Sequence, residues 1–132
     1  MDSATIQMVI ANVDERIESV EAKLLGVMMK GVISFVVDGV DLGETLHSLD
    51  ADNYKKNIEI LKVEKLIYQS LMKADNKRIF PLLYAKYAGL VTESLEIAKT
   101  WFVEEQDYIE YADKTKTQMA YIEKLCKYGE KK

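Results

Sequence analysis

Seven aliphatic residues near the start of the chain, Ile6, Ile10, Val13, Ile17, Val20, Leu24 and Val27, follow one another at alternating spacings of four and three. Only an α-helix keeps such a series on one face, and a seam of about three heptads needs other helices to lie against it. Asp14, Glu15, Arg16, Glu18, Glu21 and Lys23 occupy the opposite face. Ser3 or Asp2 is placed to accept a hydrogen bond from the free amides of the first turn. The seam predicts a helix that packs against the protein's own helices or against another chain.

The pattern changes after Leu24. From Leu24 to Val37 the chain is apolar nearly all round, interrupted by Lys30. A helix of that kind must be covered on every side, and a four-helix protein of 132 residues has few such sites. The segment is also short of the roughly 20 apolar residues that cross a bilayer. It therefore predicts association with a second molecule. Val32 to Val37 are β-prone and Asp38-Gly39 is a turn dipeptide, so a short hairpin is one reading of 32–43. The favoured reading is a helix that frays near Asp38 into a loop, with one helical turn around Glu44 to His47.

With one proline and six glycines, the rest of the chain has little to interrupt long helices. A second helix is predicted over about Asn53 to Ala74, capped by Asp50 or Asp52. It carries two apolar stripes: Tyr54, Ile58, Leu61, Tyr68 and Met72, and Ile60, Val63, Ile67 and Leu71. Pro81 fits only a first helical turn, which starts the third helix near Arg78 to Phe80. Leu83, Tyr84, Tyr87, Val91, Leu95, Ala98, Phe102, Ile109 and Ala112 then keep a helical period. One rod running to Tyr128 would be roughly 70 Å long, about twice the second helix. A break is predicted near Asp113 to Thr117, where Thr115-Lys116-Thr117-Gln118 has the form of a capping box. The fourth helix would run from Lys116 to Tyr128, with Met119, Ile122, Leu125 and Cys126 inward and Gly129 closing it. The predicted fold is all-α: a single-domain, antiparallel, up-and-down four-helix bundle with an irregular or hairpin excursion around 32–43.

The composition, 48% hydrophobic and 30% charged, is that of a globular chain. The net charge of −4 conceals a split: residues 1–50 hold nine acids against three bases, and the remainder is slightly basic. Such a division can orient subunits. Cys126 is the only cysteine, so no intrachain disulfide forms, and the N-terminus lacks a basic, apolar leader. These features lead to the expectation of a soluble cytoplasmic protein with no transmembrane segment. Abundant lysine, glutamate, isoleucine and valine with little histidine or cysteine lean toward a thermophilic source.

The catalytic inventory is poor. Gly26 and Gly31 have the spacing of a phosphate-binding loop, but Val32-Ile33 stands where a lysine and a hydroxyl are needed. His47 and Cys126, the only imidazole and thiol, lie far apart in the chain. The expectation is a non-enzyme with no cofactor and no evident small-molecule substrate.

Three sets of residues stand out for binding. Val32, Phe35, Val36, Trp101 and Phe102 form the predicted interface, because three consecutive helical residues such as Trp101-Phe102-Val103 cannot all face one core. This leads to the main expectation: a non-catalytic assembly protein that self-associates or serves as a subunit of a complex, scaffold or virion. Lys114, Lys116, Lys124 and Lys127, with Tyr121 and Tyr128 between them, offer phosphate neutralisation and base stacking, an alternative accessory role on nucleic acid. Asp41, Glu44 and His47 have the spacing of a small metal site, the second alternative. A di-iron centre would need a second histidine that the chain lacks.

Overall fold

The computed structural model describes residues 2–30, 36–37, 40–73 and 76–131, and of residues 29, 30, 36, 37 and 40–49 it describes the backbone. The protein is all-α. Its elements are α1 (Ser3–Lys30), β1 (Val36–Val37), β2 (Val40–Asp41), α2 (Leu42–Lys73), α3 (Ile79–Trp101) and α4 (Glu105–Lys131). Helix α1 packs on α2, α2 on α3, and α3 on α4, with a smaller α2–α4 contact. No helix among the described residues is long and apolar enough to cross a membrane.

Asp2 starts α1: its Oδ1 accepts the Thr5 amide at 2.7 Å, and that bond holds its carboxyl below the usual aspartate range. The heptad seam then does what its spacing predicts in the first four turns, where Ile6, Val13 and Ile17 are buried. Beyond Ile17 the seam is only half-buried at Val20, Leu24 and Val27. On α2 both apolar stripes point inward, with Ile67 and Leu71 fully enclosed, although Met72 at the end of one stripe is exposed.

The structure corrects three boundaries. Between α1 and α2 the chain forms a two-residue antiparallel pair, Val36 opposite Asp41 and Val37 opposite Val40, which is the hairpin reading of 32–43 and not the favoured fraying helix. Helix α2 starts at Leu42, about three turns before the predicted Asn53, and absorbs Glu44 to His47 and the expected caps Asp50 and Asp52. The acidic residues that read as a loop are helical because this stretch has tertiary anchors: Ala51 and Asn53 are buried, and Asp50 Oδ1 accepts a hydrogen bond from the Trp101 indole N–H.

The third correction moves the break between α3 and α4 from 113–117 to 102–104. Phe102 leaves the helix with extended backbone (φ −75°, ψ 130°) while its amide still bonds the Ala98 carbonyl. Aromatic packing fixes this corner: the Trp101 and Phe102 rings meet edge to face at 4.9 Å, and Phe102 lies 5.3 Å from Tyr111. Thr115 and Thr117 sit inside α4, and their hydroxyls donate to the carbonyls of Tyr111 and Asp113 one turn back. Moving the break also rotates Ile109 outward to 43% exposure. Pro81 occupies the first turn of α3 as its ring requires.

The main core gathers Ile6, Val63, Ile67, Leu71, Phe80, Leu83, Val91, Ile122, Leu125 and Cys126 from all four helices. A smaller cluster of Val13, Ile17, Ile58 and Leu61 joins α1 to α2. Gly129 does not end α4, which continues to Lys131. Its role is close approach: a Cβ there would fall 2.5 Å from Phe80 Cζ, and the Phe80 ring is fully buried.

Candidate functional site

Helix α1 and helix α4 flank a cleft of about 530 Å³, a size that suits a small organic molecule. Its floor comes from Ile60, Leu61 and Glu64 of α2 and Tyr87, Val91 and Ser94 of α3. Arg16, Val20 and Lys23 line it from α1, and Tyr111, Lys114 and Gln118 from α4. Each helix contributes side chains one turn apart, so the cleft follows directly from helical period.

Glu64 is the unusual member. It is only 3% exposed, and its nearest cation is Arg16, whose Nη1 lies 3.9 Å from Oε2. Burial raises its carboxyl above the usual glutamate range, and the Arg16 charge with hydrogen bonding from Gln118 and Tyr87 offsets this only in part. Burial, reinforced by the Glu64 charge, likewise pushes the Tyr87 phenol up. Ser94, 1% exposed, has its hydroxyl 3.3 Å from the Tyr111 hydroxyl. Glu64, Tyr87 and Ser94 are thus grouped around one cavity, while the other buried polar residue among those described, Asn53, lies elsewhere on α2. The sequence reading missed Glu64 because charged helix positions are usually solvated. A signal was present: Glu64 sits four after Ile60 and three before Ile67, inside an apolar face.

No known protein family matches this chain, no curated protein matches it in sequence, and no solved structure matches it in fold.

The predicted interface residues divide. Trp101 and Phe102 are half-buried and occupied with Asp50, Tyr111 and each other. The third member of the run is the outward one, with Val103 at 95% exposure. Val32 and Phe35 lie outside the described residues, as does the Val36 side chain. Leu25 and Met28, at 60% and 53% exposure, form an apolar strip one turn long at the end of α1.

Lys116, Lys124, Lys127, Tyr121 and Tyr128 share the solvent face of α4. Lys116, Tyr121 and Lys124 line a shallow depression with Asp113. Lys127 is paired with Glu123 at 3.1 Å. Lys114 departs from that group and faces the cleft. Of the metal candidates, Glu44 and His47 lie one turn apart on α2 and Asp41 in β2; their side chains lie outside the described residues. Cys126 is buried, and desolvation, with a smaller push from Glu130, raises its thiol to about 11. At neutral pH it is a protonated core side chain.

Proposed function

We propose that this chain is a non-catalytic assembly protein, an antiparallel four-helix bundle that associates with a second copy of itself through the end of α1. The exposed strip of Leu25 and Met28 carries the reading. These two side chains lie on one face of α1, and after Lys30 the sequence continues with Val32, Ile33, Phe35, Val36 and Val37. Exposed apolar residues occur elsewhere too, Met8 on α1 and the pair Ile79 and Leu82 one turn apart on α3, but none of these continues into a stretch like 31–37 of the sequence. The charge division supports a second copy as occupant, because the acidic first part of one chain complements the basic remainder of another.

The antiparallel order is supported by pairs whose numbers rise in one helix and fall in the next. Asp14 and Arg16 of α1 meet Lys65 and Glu64 of α2. Asp50 and Lys56 meet Trp101 and Glu93 of α3, and Phe80 and Ser94 meet Gly129 and Tyr111 of α4.

The test is the double variant Leu25→Glu/Met28→Glu, followed by analytical ultracentrifugation and circular dichroism. The reading requires a shift to monomer with helicity intact. An unchanged assembly of the folded variant would contradict it.

A second reading has its own observation, the five lysine and tyrosine residues sharing the solvent face of α4. An accessory nucleic-acid role requires binding to duplex or single-stranded oligonucleotides that weakens steeply with salt. A flat titration at low salt would remove it.

A further inference from the structure

Residues 1–50 contain only three basic side chains, Arg16, Lys23 and Lys30, in an otherwise acidic stretch. Two of the three line the cleft between α1 and α4, and none of the acids Asp14, Glu15, Glu18 and Glu21 on the same helix does. Helix α4 adds Lys114, the one lysine of its basic set that lines the cleft. Among the described residues neither Lys23 nor Lys114 has an ion-pair partner, and Arg16 reaches Glu64 only at 3.9 Å. Three cations therefore converge on one cavity of a chain whose net charge is −4. The walls beneath them are apolar, from Val20, Ile60, Leu61 and Val91, with hydroxyls from Tyr87, Ser94 and Tyr111.

We propose that this cleft binds a small amphipathic anion, its phosphate or carboxylate head between Arg16, Lys23 and Lys114 and its apolar body against Val20, Ile60, Leu61 and Val91. The cations supply the charge-assisted bonds that such a head group needs. The apolar walls distinguish the site from a mere counter-ion patch, since a simple inorganic anion leaves them unfilled. Glu64 and Ser94 at the floor offer hydrogen bonds to a hydroxyl at the far end of the molecule. The site shares no residue with the self-association strip, although Lys23 stands two residues before Leu25 on α1.

Phenyl phosphate is a suitable probe, with phenol as its uncharged counterpart, in an NMR titration of backbone amides of the full chain. The expected result is saturable binding of phenyl phosphate, with shifts confined to residues 16–23, 57–64, 87–94 and 111–118. Phenol should bind at least about tenfold more weakly, and Lys23→Glu/Lys114→Glu should weaken phenyl phosphate by about tenfold or more. Both lysines are exposed, so the variant keeps its core. Shifts that centre on Lys124 and Lys127 instead, equal affinity for phenol, indifference to the double variant, or no shift at all would each overturn the proposal.

Discussion

At one end of the helical assembly the Phe80 ring lies against the bare Cα of Gly129, and Ile67, Leu71 and Ile122 close around them with no measurable exposure on any but Gly129 and its neighbours. A few turns along the same helices, Glu64, Tyr87 and Ser94 are just as deeply buried, yet they border a cleft of about 530 Å³. The helices are the same; the filling differs. Where a glycine lets an aromatic ring seat fully, the space between helices is dry and tight. Where arginine, lysine and tyrosine line it, the helices stay apart and the polar groups have room for a ligand. The difference teaches that burial and closure are separate properties: a buried carboxylate here marks the edge of a cavity, not a packed core.

The comparison is most easily broken at the sealed end. Phe80→Ala removes the largest side chain there and is expected to lower stability by about 3–5 kcal/mol in chemical denaturation, the usual cost of a large core cavity. A loss under about 1 kcal/mol would mean that the ring is not the seal. Gly129→Ala forces the ring aside and should cost about 1–3 kcal/mol, despite alanine's better helix propensity. Its cost should shrink in a Phe80→Leu background, where the ring is gone.

At the open end the signs reverse. The Glu64 carboxyl is raised in the folded protein, so the unfolded chain gives up its proton first as pH rises. Stability is therefore fully present below the ordinary glutamate value and is lost as pH climbs through the raised folded one. Glu64→Gln should remove that slope and gain about 1 kcal/mol near neutral pH, with no gain in acid, measured by urea denaturation across pH. A destabilised Glu64→Gln protein at neutral pH would show that the charge is held more favourably than its burial implies. Tyr111→Phe should be the mildest change, about 0.5–1 kcal/mol for the hydroxyl partner lost by Ser94, with the Phe102 packing retained.

The sequence made some of this legible and hid the rest for identifiable reasons. The first turns of the α1 seam, most of the α2 stripes and the start of α3 near Pro81 follow from local period and from the chemistry of one ring, and the structure has them. That α3 and α4 are two helices followed from length. The position of the corner did not, because nothing in Trp101-Phe102-Val103-Glu104 breaks a helix locally; the rings of Trp101, Phe102 and Tyr111 do so by packing across the turn. The early start of α2 was hidden for the same reason, since its anchor is an indole 51 residues away. The cleft needed three dimensions. Arg16, Lys23 and Lys114 read as surface charge in one dimension, and only the fold brings them to the lining of one cleft.

Self-association through the end of α1 is tested most directly by the molar mass in solution, from light scattering behind a sizing column at two concentrations and two salt strengths. The expected result is a multimer of the 15.1 kDa chain that persists at high salt, because apolar Leu25 and Met28 carry the contact. A monomer at every concentration and salt strength would contradict it.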